Sequence, residues 1–265
     1  MSVYEVATVG DNCIDRYGPP LGMSFVGGNA VNVAVHLAAR RPGVAYFGAV
    51  GDDADGLRVV SALRERHVVV DNVRIRHTVV TAYTNVEFDS SGERFFDFEE
   101  FGACRGYRPS ADDLAILKHC RHVHLGWLDD GGELKRALLS AGTGVSQDLS
   151  VSAAAVDVRA DGLSIAFASA DSPAQAGTML AAIHAAGASV AVVTISRFGS
   201  LASDGRIIVT ADAHPVLPVD TTGAGDTFIA AFIDARLAGH DLQSSLHAGS
   251  SAAVATCLHY GGFPQ

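Results

Sequence analysis

Short apolar runs alternate with helical patterns along nearly the whole chain. The apolar runs are rich in β-branched residues and almost continuous, as strands covered on both faces of a sheet must be. They lie at 6–9, 44–50, 122–128, 145–149, 165–168 and 190–195. Helical patterns occur at about 30–40, 55–66, 110–119, 132–141, 174–186, 224–238 and 242–258. This alternation predicts βαβ units, and therefore an α/β fold with a doubly wound, mostly parallel sheet flanked by helices.

One part of the chain departs from this pattern. Residues 82–88 alternate between two faces in the manner of a strand, and residues 89–92 (DSSG) supply a turn, so an antiparallel hairpin is expected within 77–101. A second extended segment is expected at about 13–26. We expect these segments to form a small β-sheet lid inserted in a single domain of residues 1–265. An edge hairpin without a role is the alternative.

Composition limits the partners of the chain. A length of 265 residues with 48% hydrophobic residues suits a globular protein with a large core. The net charge of −10 disfavours nucleic acid, which needs a basic surface. No apolar run approaches the ~20 residues of a membrane span, and the N-terminus lacks the features of a secretory signal. We therefore expect a cytoplasmic protein that binds neither nucleic acid nor membrane.

A glycine-rich string precedes the helix predicted at 224–238. It reads DTTGAGD and ends at Asp226. The first turn of a helix exposes unpaired N–H groups and carries partial positive charge, so Gly223, Ala224 and Gly225 are suited to form an anion hole for a phosphoryl group. A carboxylate at Asp226 is then placed to accept a proton from an attacking alcohol. An ordinary capping loop is the alternative for the glycines alone.

A second glycine string opens the first long helix. It reads GGNAVN over residues 27–32, and it places Asn29, Asn32 and His36 on one polar face of that helix. Asparagine side chains beside a glycine turn are suitable donors and acceptors for sugar hydroxyls. A capping asparagine with an incidental second one is the alternative.

The two strings resemble the signatures of the PfkB, or ribokinase-like, family of carbohydrate kinases. The resemblance implies a ribokinase-like fold, ATP as donor and Asp226 as catalytic base, with the anion hole at Gly223, Ala224 and Gly225. Such kinases place a sugar-binding Asp or Asn after the first strand, where Asp15 is the match. The sugar-binding residues implied are Asp11, Asn12, Asp15, Gly27, Gly28, Asn29 and Asn32.

The chain departs from the family pattern at two places. An Asn-x-x-Glu motif that organises Mg²⁺ is absent from 167–173 (FASADSP). Mg²⁺ is expected with ATP, and Asp171 is the candidate for a protein contact to it. The nucleotide strand of the family ends in Thr-x-Gly-x-x-Gly. Here Thr194 and Gly199 match while Ser196 replaces the first glycine, and all three are expected to bind ATP with Gly223 and Gly225.

Within the family, the chain is most similar to fructoselysine 6-kinases. The similarity lies in 10–15 (GDNCID), 27–35 (GGNAVNVAV), 84–88 (TNVEF) and 167–169 (FAS). It implies phosphorylation of the 6-hydroxyl of a fructosyl-amino acid. Acidic residues of the hairpin are placed to pair with the ammonium group of such a substrate, and they are Glu87, Asp97, Glu99 and Glu100. A solvated acidic lid is the alternative.

Other functions stay open at this point. The acceptor could be fructose, 2-keto-3-deoxygluconate or a nucleoside, or the protein could be a non-catalytic sugar- or nucleotide-binding regulator on the same fold. A dinucleotide-dependent oxidoreductase is disfavoured, because residues 10–12 (GDN) stand where a GxGxxG would follow the first strand. The hairpin carries apolar residues on both faces, so we expect a homodimer formed through the lid.

Overall fold

A nine-stranded sheet forms the body of the protein in a computed structural model, which describes residues 4–88 and 94–265. In chain order the strands are β1 (Val6–Val9), β2 (Cys13–Tyr17), β3 (Ser24–Gly27), β4 (Val44–Gly51), β5 (Val73–Arg76), β6 (Tyr83–Phe88), β7 (Arg94–Glu100), β8 (His122–Leu125), β9 (Gly144–Asp148), β10 (Ile165–Ser169), β11 (Val190–Thr194), β12 (Ser200–Ser203) and β13 (Ile208–Ala211). The helices are α1 (Asn29–Ala38), α2 (Ala54–Glu65), α3 (Ala111–Leu117), α4 (Glu133–Ser140), α5 (Pro173–Ala185), α6 (Ala224–Leu237) and α7 (Leu242–Thr256).

The order of the strands confirms the predicted doubly wound sheet. It runs β13-β12-β11-β10-β9-β8-β1-β4-β5, and the seven strands from β11 to β5 are parallel. The chain starts in the middle with β1, winds one way to β4 and β5, and then winds the other way from β8. The loops after β1 and β8 therefore diverge and leave a crevice at the carboxyl ends of the strands, where open α/β sheets bind ligands.

Each face of the sheet has its own core, because successive side chains of a strand project to opposite faces. In β4, Val44 and Tyr46 join the core that contains Phe232 of α6, whereas Phe47 joins the core that contains Leu138 of α4. Every residue of β4 is buried. This double burial explains why the parallel strands read as continuous apolar runs in the sequence.

Three strands were not predicted, and one prediction was too long. β5, β12 and β13 lie at the two edges of the large sheet, and β12 and β13 pair antiparallel. β5 and β13 carry exposed residues, such as Ile208 at 65% exposure, so they lack the continuous apolar pattern. β12 lacks it because it begins and ends with a serine, Ser200 and Ser203. The strand predicted to reach residue 128 ends at Leu125, because the N–H of Trp127 turns to the carboxylate of Asp11 instead.

A second, four-stranded sheet confirms the small sheet predicted from the alternating segments. Its order is β3-β2-β6-β7, two antiparallel hairpins joined by parallel pairing of β2 with β6. Thr84 and Val86 lie on one face of β6, as expected, and both are buried. The predicted turn at 89–92 lies outside the described residues. The role of this sheet as a lid stays a prediction.

Within residues 4–88 and 94–265, none of the helices combines the length and the apolar character that a membrane crossing requires.

Candidate active site

The helix α1 begins at a glycine and takes its cap from another part of the chain. Gly28 has φ 102° and offers no side-chain cap. The carboxylate of Asp11 accepts hydrogen bonds from the N–H groups of Asn29 (2.7 Å) and Trp127 (2.8 Å). Asp11 thereby joins the start of α1 to the loop after β8, and burial raises its pKa. A direct contact between Asp11 and the sugar stays a prediction.

Asn12 belongs to the loop after β1 and is buried there, away from an open crevice. Its side chain is buried, and its amide nitrogen donates to the hydroxyl of Tyr46 (2.9 Å) and to the carbonyl of Ala49 (2.8 Å). These bonds hold the loop after β1 against β4. The predicted contact of Asn12 with a sugar stays a prediction, and this geometry favours a structural role.

Asp226 is held between the two asparagines of the amino-terminal string. The amide nitrogen of Asn29 donates to Asp226 Oδ1 and that of Asn32 to Asp226 Oδ2, both at 2.7 Å. The asparagines lie one turn apart on α1, so their side chains reach the same point in space. Packing of α1 against α6 therefore brings the two glycine strings together around one carboxylate.

Two further carboxylates surround Asp226, and they shape its titration. Burial raises the pKa of Asp226 to about 7, and the charges of Asp148 and Asp11 add to this, while the hydrogen bonds from Asn32 and Asn29 oppose it. Burial likewise raises the pKa of Asp148 to about 6. A carboxylate that titrates near neutrality is well matched to general-base catalysis at that pH.

Asp148 was missed in the sequence, although a signal existed. It is the last residue of β9, and its Oδ2 accepts a hydrogen bond of 3.0 Å from the same Asn29 amide nitrogen that holds Asp226. The carboxyl ends of parallel strands meet at one edge of the sheet. An acidic residue at the end of the strand predicted at 145–149 was therefore a candidate for this site.

Asp15 projects from β2 on the face of the small sheet that carries Thr84. Its carboxylate accepts a hydrogen bond from the thiol of Cys13 (3.0 Å), and the side chain is buried. A Cβ at Gly27 would collide with this carboxylate, so the glycine makes room for it. Asp15 pairs in register with Thr84, and Thr84 pairs with Glu99, which places all three on one face.

The same face reaches the carboxyl-terminal glycine string through Tyr17. Its hydroxyl donates to Asp220 Oδ2 (2.6 Å) and lies 2.8 Å from Thr222 Oγ1. Asp220 also accepts from the N–H groups of Thr222 (2.9 Å) and Gly261 (3.0 Å). Although burial works against it, these hydrogen bonds hold the pKa of Asp220 below its usual value. Tyr17, which was not predicted, thus ties the small sheet to the loop that precedes α6.

The predicted anion hole lies at the start of α6. Gly223 has φ 73°, and a Cβ there would lie 2.5 Å from Gly262 Cα, so only glycine fits this turn. A Cβ at Gly225 would meet no heavy atom within 4 Å. Ala224 and Gly225 border an open cavity of about 580 Å³. The positive end of the helix therefore faces a space large enough for part of a nucleotide.

The cavity also brings together the residues predicted from the nucleotide strand. Thr194, Ser196 and Gly199 line it, together with Phe228 and Val254. Gly199 has φ 95°, and a Cβ there would collide with the backbone of the neighbouring strand β13. Ser196 has φ 45°, a left-handed conformation in a residue with a side chain. The backbone thus keeps a glycine-type conformation at a position where this chain carries serine.

The described part of the chain holds no preformed metal centre. Within it, no group of three or more His, Cys, Asp or Glu side chains is placed to hold a metal ion. Asp171 is exposed in the loop after β10, and its N–H donates to the side chain of Gln175 (2.7 Å). Its contact with Mg²⁺ stays a prediction.

Comparison with known families identifies the class of protein. The sequence profile of the pfkB family carbohydrate kinases matches residues 11–128 and 149–263, which is most of the chain and includes both glycine strings. The chain belongs to the pfkB family of carbohydrate kinases.

Individual relatives agree with this assignment. Fructoselysine 6-kinase of Shigella flexneri is 34% identical over 263 residues, covering 97% of this chain and 99% of the relative. Fructosamine kinase of Bacillus subtilis (strain 168) is 29% identical over 275 residues, covering 98% and 93%. The structure of Arabidopsis thaliana ribokinase complexed with ribose and ATP superposes with a TM-score of 0.84 at 24% identity, covering 98% and 94% of the two chains.

These findings confirm the predicted fold and class of enzyme. The protein is a carbohydrate kinase with the ribokinase-like fold, and kinases of this family use ATP together with Mg²⁺. The likeness to Arabidopsis ribokinase supports the fold alone.

Proposed function

We propose that this kinase transfers the γ-phosphoryl group of ATP to the 6-hydroxyl group of a fructosyl-amino acid such as fructoselysine. The observation that carries the proposal is the placement of Asp226. Its carboxylate is fixed by Asn29 and Asn32 in the first turn of α6, at a helix terminus that no side chain caps. A base and an anion site thus lie next to each other, as transfer to an alcohol requires.

The chain supplies two chemical functions to this reaction. Asp226 accepts the proton of the sugar hydroxyl as the hydroxyl oxygen attacks the γ-phosphorus, and the bond from that phosphorus to the bridging oxygen breaks to release ADP. The hydrogen bonds from Asn29 and Asn32 keep the carboxylate in position. The backbone N–H groups at Gly223–Gly225 and the helix dipole stabilise the negative charge that develops on the transferring phosphoryl group. Positioning and electrostatics dominate phosphoryl transfer, so little further covalent chemistry is needed.

The cavity at the start of α6 fits the donor nucleotide. Its apolar wall includes Phe228, Ala253 and Val254, which suit an adenine ring, while Thr194 and Ser196 offer hydroxyl groups. The open position beside Gly225 leaves room for phosphate oxygens at the backbone. When bound, Mg²⁺ neutralises phosphate charge, and Asp171 is the residue we propose near it.

The proposed substrate class rests on the relatives and on one position of the small sheet. Among the four acidic residues of the hairpin, Glu99 pairs with Thr84 and so lies on the face that carries Asp15. Glu100 is engaged elsewhere, since its side chain accepts from the N–H of Gly102 (2.9 Å). We propose that Glu99 pairs with the secondary ammonium group of the substrate.

A product assay with a substrate panel tests this proposal. The panel contains fructoselysine, fructosyl-glutamine, fructose and ribose, with phosphorylated products identified by mass spectrometry. Turnover is expected to be most efficient with the fructosyl-amino acids. Preference for fructose or ribose would instead assign another sugar-kinase activity, and binding without turnover of any sugar would favour a regulator.

Glu99→Lys separates the ammonium contact from general damage to the site. KM for fructoselysine should rise about tenfold or more, the range for loss of a charge-assisted contact, while KM for fructose stays near its wild-type value. Asp97→Lys is the matched control, because it makes the same change of charge at an exposed neighbour. Equal losses for both sugars would contradict the role of Glu99.

We further propose a homodimer formed through the small sheet. Phe95 and Phe98 of β7 are 47% and 46% exposed, and exposed aromatic residues on a sheet favour contact with another surface. A second copy of the chain is the proposed partner. Light scattering is expected to give the mass of a dimer, with dissociation in a Phe95→Ser/Phe98→Ser variant, whereas a monomeric wild type would contradict the proposal.

A further inference from the structure

A buried chain of hydrogen bonds leads from the large sheet to the proposed base. His122 Nε2 lies 2.8 Å from Ser146 Oγ, and His124 Nδ1 lies 3.0 Å from the same oxygen. His124 Nε2 lies 3.1 Å from Asn29 Oδ1. His122 and Ser146 are buried, and His124 has no exposed surface. We call His122, Ser146 and His124 the histidine chain. The proposed reaction uses none of its members directly.

The orientation of the Asn29 amide determines which nitrogen of His124 carries the proton. Its amide nitrogen faces two carboxylates, Asp226 Oδ1 at 2.7 Å and Asp148 Oδ2 at 3.0 Å, so the amide oxygen must face His124. An amide oxygen only accepts hydrogen bonds. His124 Nε2 is therefore the donor in this contact and carries the proton, an assignment that follows from the network.

The rest of the histidine chain follows from this first donor. Burial lowers the pKa of His124 to about 3 and that of His122 to about 4, so both rings are neutral. A neutral His124 that donates from Nε2 must accept at Nδ1, and the Ser146 hydroxyl is its donor. The Ser146 oxygen then accepts from His122 Nε2. Every hydrogen bond has one consistent direction, toward Asn29.

We infer that His124 is a positioning residue that locks the amide of Asn29 in the orientation that holds Asp226. The terminal torsion of asparagine has broad preferences of its own, so its two ends are told apart only by their partners. The reversed amide would set its oxygen against two carboxylates and its nitrogen against the Nε2–H of His124. The histidine chain therefore disfavours the reversed state from the side opposite the reaction.

The orientation of the Asn29 amide affects the pKa of Asp226. Asp226 is faced by Asn29 and Asn32 from α1, by Asp148 from the end of β9 and by Asp11 from the loop after β1. The hydrogen bond from Asn29 lowers the pKa of Asp226, against burial and the neighbouring charges. Without that hydrogen bond the Asp226 carboxylate ionises at higher pH. The acid limb of the pH profile of kcat/KM therefore shifts to higher pH.

Buried histidines are often only part of a core, and such a role predicts different behaviour. His124 packs edge-on against Phe167, with ring centroids 6.3 Å apart. A purely structural histidine would affect the thermal midpoint and leave the acid limb in place. A positioning residue shifts the limb and lowers kcat, and a substitute that keeps an N–H donor restores both.

The experiment compares three variants with the wild type, and it rests on the proposed role of Asp226. His124→Phe keeps a ring beside Phe167 but removes both nitrogens, His124→Gln retains an N–H donor, and His119→Gln is a control at an exposed histidine. Kinetics are measured across neutral pH with saturating ATP and the panel sugar that turns over fastest. Histidine tautomers of the wild type are read by ¹⁵N NMR.

His124→Phe is expected to lower kcat about tenfold, the size of one lost hydrogen bond, and to move the acid limb upward without changing KM for ATP. His124→Gln should recover most of both effects. An unchanged limb in His124→Phe would overturn the inference. So would a His124 proton on Nδ1, and this readout needs no folded variant. If Asp226→Asn kept its activity, the base assignment would fail, which is a separate outcome.

Discussion

The two halves of the site are built from different materials. On the side that we propose binds the sugar, the site is formed by side chains: the amide nitrogens of Asn29 and Asn32 donate to Asp226 in hydrogen bonds of 2.7 Å. On the side that we propose binds the nucleotide, the site is formed by the backbone and an open space: Gly223 turns the chain with φ 73°, and Gly225 borders an open cavity. The sugar side is a preformed polar network, and the nucleotide side is a shaped opening.

This difference teaches which kind of substitution each half tolerates. A polar network fails when a donor or acceptor is lost, even if the shape is unchanged. A backbone turn fails when a Cβ is added, whatever its chemistry. A substitution that changes the chemistry of a side chain but keeps its shape should therefore affect the polar network alone. A substitution that adds a Cβ to a glycine should affect the backbone turn alone.

Asp226→Asn should give the largest effect and confine it to the polar half. The shape is retained but the base is lost, so kcat should fall by about 10²–10⁴-fold while the Kd for ATP stays nearly unchanged. Steady-state kinetics and ATP titration by calorimetry measure the two quantities. Asp234→Asn is the control and should keep kcat. Asp234 lies farther along α6, and its substitution breaks only an ion pair with Arg41. A near-normal kcat in Asp226→Asn would remove the carboxylate from the mechanism.

Gly223→Ala should break the backbone half. The added Cβ would lie 2.5 Å from Gly262 Cα in a left-handed conformation, so the turn must shift, at a cost of about 1–3 kcal/mol in the free energy of unfolding. A displaced anion hole should lower kcat by about 10–100-fold. Gly225→Ala is the matched control, because its Cβ would meet nothing within 4 Å and should leave the thermal midpoint unchanged. Equal midpoints for the two variants would show that the turn is not constrained.

Tyr17→Phe tests the link between the halves and should have a moderate effect. The hydroxyl donates to Asp220 at 2.6 Å, so its loss removes one charge-assisted hydrogen bond to the loop before α6. We expect kcat/KM to fall about tenfold, in line with about 1.5 kcal/mol for such a bond. Tyr83→Phe, on the other face of the small sheet, is the control. If both variants behave alike, the small sheet does not act through Tyr17.

The same contrast explains what the sequence could predict. Gly28 and Gly223 lie in short glycine-rich strings, so their turns can be predicted from neighbouring residues. The parallel strands can be predicted because burial on both faces gives continuous apolar runs. The partners of the network are far apart in the chain: Asn29 and Asp226 are separated by 197 residues and Tyr17 and Asp220 by 203. Register and packing decide such pairs, so Tyr17 and the histidine chain could be identified only from the structure, whereas Asp148 at the end of β9 had a signal in the sequence.

Ser196→Gly should have the smallest effect and sharpens the view of the nucleotide half. Ser196 has φ 45°, a conformation that costs a residue with a side chain about 1–2 kcal/mol and that glycine adopts without this cost. Glycine, however, loses about 0.5–1 kcal/mol of stability because its unfolded state is more flexible. The free energy of unfolding should therefore rise by no more than about 1.5 kcal/mol, and KM for ATP should fall no more than about threefold. His67→Gly is the matched control, because His67 has φ 61° and does not line the cavity. A rise in KM for ATP in Ser196→Gly alone would mean that the serine hydroxyl binds the nucleotide, and the opening would then owe part of its affinity to a side chain.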